Sequence, residues 1–112
     1  MYILTIHYPK SKGASFDFHY FKSKHLPEVG KAFQPFGMGW ASVLRGEESV
    51  SGGEPAYFAT TILSFADEEA ARNAVKSDAG KALAKDIANF TSVTPVMQWN
   101  TAGGTPASRY TS

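Results

Sequence analysis

Phe16 to Phe36 reads FDFHYFKSKHLPEVGKAFQPF, and its period decides the architecture. At about 100° per residue, Phe18, Phe21, His25, Val29, Ala32 and Phe36 fall within a stripe roughly 80° wide, with Phe33 at its edge. The stretch is therefore a helix with one apolar face. Asp17 stands near its start, where an acidic side chain complements the helix dipole. Pro27 has no N–H to give to the carbonyl of Ser23 and disfavours a helical residue before it, so a kink or break is expected directly after His25. Upstream, Tyr2 to Tyr8 (YILTIHY) is β-branched and aromatic and ends at Pro9, which reads as a strand. Lys10 to Ser15 is a polar loop containing Gly13.

Downstream, Gly37 closes the helix and Met38 to Arg45 reads as a second strand. Gly46 to Ala56 is a loop too long for a tight hairpin. Tyr57 to Phe65 (YFATTILSF) is a third strand. Asp67 is the expected N-cap of a second helix, with Glu68 and Glu69 in its first turn. This helix runs through Ala70, Ala71, Ala74 and Val75, bends at Gly80, and resumes through Leu83 and Ile87. Ser92 to Asn100 is a fourth strand, whose Pro95 points to an edge or a bulge. The order β-α-β-β-α-β is the ferredoxin-like arrangement of class α+β: one antiparallel sheet with both helices on one face. The domain is expected to span residues 1–100, with 101–112 as a mobile tail. Strand residues on both faces are largely apolar: Leu4 and Ile6 alternate with Ile3, and Phe58 and Ile62 with Leu63 and Phe65. The sheet face without helices then needs a partner, and the simplest is a second copy of the chain.

Composition narrows the function. The chain has 112 residues, 43% hydrophobic and 19% charged, which is a globular balance. It has no cysteine, which excludes a disulfide framework, a thiolate zinc site, an iron–sulfur cluster and a cysteine nucleophile. A net charge of +1 without a basic stripe argues against a nucleic-acid partner. No apolar run approaches the ~20 residues of a membrane span, and no signal pattern opens the chain. A soluble, cytoplasmic protein is expected. No G-x-S-x-G is present, and Gly37 and Gly39 are too few for a phosphate-binding fingerprint.

Three histidines remain. His7 sits late in the first strand, and His19 lies roughly 100° from the apolar stripe, on the solvent side. His25 lies in the middle of the stripe, so its ring points between helix and sheet. Two readings stand. In one, His25 is a core histidine bonded to backbone, such as the Ser23 carbonyl that Pro27 leaves without a partner. In the other, it is a lone acid/base in an apolar pocket, kept neutral by burial and ready to take a proton. His19 and His25 face about 120° apart, so no metal site is read, and a haem on His25 alone would rest on a single ligand. No cofactor is called for. Tyr8, Trp40, Tyr57 and Trp99 carry polar handles on flat rings, and can line a pocket for an apolar organic molecule.

The segment Phe16-Asp17-Phe18-His19-Tyr20-Phe21-Lys22-Ser23-Lys24-His25-Leu26-Pro27 resembles the signature of EthD-type proteins, F-D-x-x-Y-[YF]-x-x-x-H-x-P. Gly37-Met38, Arg45-Gly46, Asn89-Phe90-Thr91 and Pro95-Val96 extend the resemblance over residues 1–100. The resemblance implies a homodimeric α+β barrel, in which two ferredoxin-like sheets pack face to face. Its wider superfamily includes small cofactor-free monooxygenases, isomerases, polyketide cyclases, decarboxylases and haem-binding members, with a pocket between sheet and helices. The family histidine maps onto His25, and Phe21 stands where many members have Tyr. The resulting expectation is a small cofactor-independent enzyme acting on a hydrophobic or aromatic catabolic intermediate. His25 transfers the proton, and Tyr8, Phe21 and Trp40 contact the substrate. The alternative is a non-catalytic carrier of a hydrophobic ligand, or an accessory protein of a degradation pathway.

Overall fold

Alternation builds the sheet. In the computed structural model, which describes residues 1–104, β1 (Tyr2–Pro9) buries Leu4, Ile6 and Tyr8 and leaves Ile3, Thr5 and His7 on the other side. β2 (Met38–Arg45), β3 (Tyr57–Phe65) and β4 (Val96–Asn100) complete one four-stranded sheet. The strand order is β2-β3-β1-β4, and every pairing is antiparallel. Leu4 stands opposite both Leu63 and Trp99, and Ile6 opposite Thr61 and Met97, so one face is continuous across three strands. β4 begins only at Val96, directly after Pro95, and is an edge strand paired with β1 alone. The expected start at Ser92 is too early, because Pro95 has no N–H for a ladder.

The first helical stretch runs from Phe18 to Phe36 without leaving the helical region. It comprises α1 (Phe18–Tyr20), a π-helical turn over Phe21–His25, α2 (Leu26–Phe33) and a 3₁₀ turn over Gln34–Phe36. Asp17 caps it, accepting from the Tyr20 N–H at 3.0 Å. The distortion from Pro27 appears upstream of the proline and not after His25. The Leu26 N–H reaches back five residues to the Phe21 carbonyl, widening the turn that contains His25. A proline ring clashes with the carbonyl four residues before it, and a wide turn relieves that clash. Phe21, His25, Val29 and Phe33, spaced by four, are the buried side chains. Phe33 is thus in the core and Phe36 only half-buried, since the wide turn advances the face beyond ordinary helical phase. Gly37 ends the stretch with φ +82°, a conformation that a β-carbon strains.

The second helical stretch is broken at Ser77 and not at Gly80. α3 (Glu68–Lys76) is capped by Asp67, whose carboxylate accepts from the Ala70 N–H at 2.8 Å. Ser77 is extended, donates its hydroxyl to the Ala74 carbonyl, and accepts from the Gly80 N–H at 3.0 Å, so one side chain ends α3 and starts α4 (Asp78–Asp86). Gly80 lies where α4 approaches α3: a β-carbon there would fall on the carbonyl oxygen of Ala74. A 3₁₀ turn over Ile87–Asn89 follows.

Both helical stretches cover the face of Leu4, Ile6, Tyr8 and Leu63. The other sheet face is uncovered and mixed, not largely apolar: Ile3, Leu44, Ile62 and Val96 alternate with Thr5, His7, Thr60, Gln98 and Asn100. Phe58, read with Ile62, belongs instead to the helix side, where it stacks on Phe16 at 5.3 Å. An irregularity between Tyr8 and Pro9 leaves Phe58 as the extra residue opposite them and reverses its side. After Asn100, residues 101–104 are exposed and irregular, and the expected mobile tail otherwise lies outside the described residues.

Candidate functional site

The wide turn sets His25 under the helical layer, 4% exposed. Its ring lies 4.7 Å from Phe90 and stacks near-parallel to Phe21 at 5.9 Å. Nδ1 meets Asp86 Oδ2 at 2.9 Å, across from the end of α4. Nε2 has no hydrogen-bond partner among the described residues. The Ser23 carbonyl plays no part at the ring. Ser23 instead donates its hydroxyl to the His19 carbonyl at 2.6 Å.

Asp86 is the centre of a small network. Its Oδ1 accepts from the Tyr20 hydroxyl at 2.7 Å and from the Asn89 amide at 3.0 Å, and its Oδ2 faces His25. Burial by itself would raise the Asp86 carboxyl. The hydrogen bonds from Asn89, Tyr20 and His25 together outweigh burial and hold it below the ordinary carboxylate range. The same bond to Asp86 raises the Tyr20 phenol above its usual value.

His25 also lines a cavity of about 70 Å³ between the sheet and the helices. Leu4, Ile6, Tyr8 and Leu63 form its sheet wall, Val29 and Phe33 come from α2, and Gly80, Leu83 and Ala84 from α4. Met97 and Val75, both partly exposed, stand at the sheet-edge end. Besides His25, Tyr8 is the one polar side chain of this lining. It is completely buried, with Phe16, Phe21 and Phe90 edge-on to its ring at 5.3, 5.8 and 5.6 Å. Burial pushes its phenol far above the ordinary value, so it keeps its proton at any physiological pH. On the outer side of the helices an open groove of about 670 Å³ runs between the first helical stretch and α4. Tyr20, Lys24, Leu83 and Asp86 are among its walls, so Leu83 and the His25–Asp86 pair separate solvent from the inner cavity.

Of the residues singled out in sequence, His25, Tyr8 and Phe21 come together. Phe21 packs on the face of His25 and lies outside the cavity lining. Trp40 is elsewhere. It is 50% exposed in β2, where an irregularity sets Gly39 and Trp40 opposite Ser64. Tyr57 leans on His7 at 4.9 Å, and Trp99 packs on Tyr2 at 5.4 Å, both away from the cavity. Asp86, Tyr20 and Asn89 were not anticipated as site residues. One signal pointed to Asp86: an acid at the C-terminal end of a helix opposes the dipole and needs donors. Among the described residues, no group of three or more histidine or acidic side chains converges as a metal site.

The backbone has solved counterparts. An EthD-like protein from Ralstonia eutropha JMP134 superposes with a TM-score of 0.79 at 29% identity, covering 88% of each chain. This chain resembles EthD-like proteins in both its backbone and its Phe16–Pro27 run. An EthD-family protein from Bacillus halodurans C-125 shares the fold, with TM-score 0.68, 24% identity, and coverage of 88% of this chain and 96% of that one. SnoaB, a cofactor-independent oxygenase from Streptomyces nogalater, shares it too, with TM-score 0.64, 15% identity, and coverage of 96% and 95%. The EthD-like fold is thus also that of a small enzyme. No family model and no curated protein matches the chain. The stretches that carried the EthD resemblance converge in space: Tyr20, His25, Asn89 and Phe90 all belong to the network around Asp86.

Proposed function

We propose that this protein is a small cofactor-independent enzyme acting on a hydrophobic or aromatic catabolic intermediate, with His25 as its proton-transfer residue. The carrying observation is the placement of His25: one nitrogen held by a carboxylate, the other without a partner among the described residues, and the ring on the wall of an apolar cavity. A base so placed can take a proton from a carbon beside a carbonyl, opening isomerisation, decarboxylation or oxygenation of the resulting carbanion. Tyr8, still protonated, is suited to donate to the carbonyl oxygen, while Phe21 holds the ring of His25 from behind. At about 70 Å³ the cavity admits only a small group, so an aromatic substrate needs α4 to move outward. Trp40, on the uncovered sheet face, is assigned to subunit contact in place of substrate contact. The working form is a cytoplasmic homodimer joined through that face, which suits the cysteine-free chain.

Mass spectrometry of the ligand carried by the purified protein, followed by turnover assays on that compound and its relatives, tests the proposal. His25→Ala is expected to lose ~10²–10⁴-fold in rate. Unchanged turnover with lowered stability would overturn it. The second reading, a carrier or accessory protein for a hydrophobic ligand, draws on the same apolar lining. It predicts affinity that survives His25→Ala and no turnover.

A further inference from the structure

We propose that Asp86 is a positioning residue: it fixes His25 as the Nδ1–H tautomer, so that Nε2 meets the ligand as a base and never, in the resting protein, as an acid. The inference rests on the reading of His25 as the proton-transfer residue, but its geometry is independent of any substrate. The two oxygens of Asp86 are divided. Oδ1 takes the Tyr20 hydroxyl at 2.7 Å and the Asn89 amide at 3.0 Å. Oδ2 is left to His25 Nδ1 at 2.9 Å. An ionised carboxylate is an acceptor only, so the hydrogen in each of these contacts comes from the partner. The Tyr20 and Asn89 donors, together with His25 itself, keep Asp86 ionised. Asp86 therefore has no proton to give, and Nδ1 must carry one. A neutral imidazole has a single N–H, which leaves the lone pair on Nε2.

The consequence is an order of events. Nε2 accepts a proton from a C–H beside a carbonyl, and the electron pair of that bond passes into the carbonyl to give an enolate. The imidazolium so formed lies 2.9 Å from Asp86 Oδ2, which compensates a cation otherwise isolated among Phe21, Phe90 and the aliphatic wall. Return of the same proton to a different carbon completes an isomerisation with no oxidant, reductant or second substrate. A reaction that begins by protonating the ligand would need a proton on Nε2 at the outset, which the neutral Nδ1–H form does not carry.

The test is a long-range ¹H–¹⁵N spectrum of the full chain labelled with ¹⁵N-histidine, at neutral pH, with His25→Gln used to assign the signals. The expected pattern for His25 is a protonated Nδ1 and an unprotonated Nε2. In Asp86→Asn that preference is lost, while the His7 and His19 patterns stay as they are. An Nε2–H pattern in the unaltered protein, or an unchanged His25 pattern in Asp86→Asn, overturns the inference. If Asp86→Asn does not fold, the unaltered protein decides alone. A chain that shows the expected tautomer yet turns over no compound refutes the enzymatic reading and leaves the role of Asp86 in place.

Discussion

At the residue scale, two polar groups, the half-buried Asp86 and the buried Thr61, are handled in opposite ways. Asp86 is compensated by three donors, and its carboxyl is held low. A carboxyl with a depressed folded-state pKa adds stability that is present above its unfolded value near ~4 and lost as pH falls through the lower folded value. Thermal unfolding followed from neutral pH into the acid range should therefore show a loss of stability below pH ~4 that is smaller in Asp86→Asn. Thr61 is uncompensated: it is 2% exposed, and its hydroxyl has no partner among the described residues. Leaving a buried hydroxyl unsatisfied costs about 1–3 kcal/mol, so Thr61→Val, of similar shape, should raise the melting temperature by several degrees. A lower melting temperature would show that the hydroxyl has a partner.

At the element scale, the two helical stretches place the site because each is locally irregular. The wide turn before Pro27 inserts His25 among Phe21, Val29 and Phe33, each worth roughly 1.5–3 kcal/mol of burial. The break at Ser77 lets α4 turn so that Leu83 faces the cavity and Asp86 reaches His25. Two glycines test this packing. Nothing lies within 4 Å of a β-carbon at Gly30 in α2, so Gly30→Ala should stabilise by about 0.5–1 kcal/mol through helix propensity. At Gly80 the same change drives a methyl into the backbone of Ala74 and Val75, and should cost roughly 1–3 kcal/mol. Urea midpoints of the two variants, moving in opposite directions, check both. Equal shifts would mean that α4 adjusts freely against α3.

At the scale of the whole molecule, one sheet face has no helix over it among the described residues. Trp40 and Leu44 are 50% and 56% exposed in β2, and Val96 is 52% exposed in β4 at the opposite edge. Between them His7 accepts from or donates to Thr60 at 3.1 Å, and Asn100 bonds the Thr5 hydroxyl at 3.0 Å. A second copy laid on this face would cover the exposed apolar edges while the polar centre keeps its internal bonds. Sedimentation at micromolar concentration should show a dimer, and Leu44→Lys should move it toward monomer. A monomer in both chains would remove the homodimer from the proposal and leave the His25 site within one subunit.

The sequence by itself determined the element order, the spans of β2 and β3 and that of β1 to within one residue, the cap at Asp67, and the burial of His25. All of these follow from local period and capping chemistry, which neighbouring residues settle between themselves. It also carried the EthD resemblance, through the run from Phe16 to Pro27. Only the tertiary structure decided the partner of His25, because Asp86 is 61 residues away and meets it only when α4 packs across the first helical stretch. It likewise moved Trp40 away from the cavity and Phe58 to the helix side. Strand alternation assigns a face only while register is unbroken, and irregular pairing occurs beside both residues.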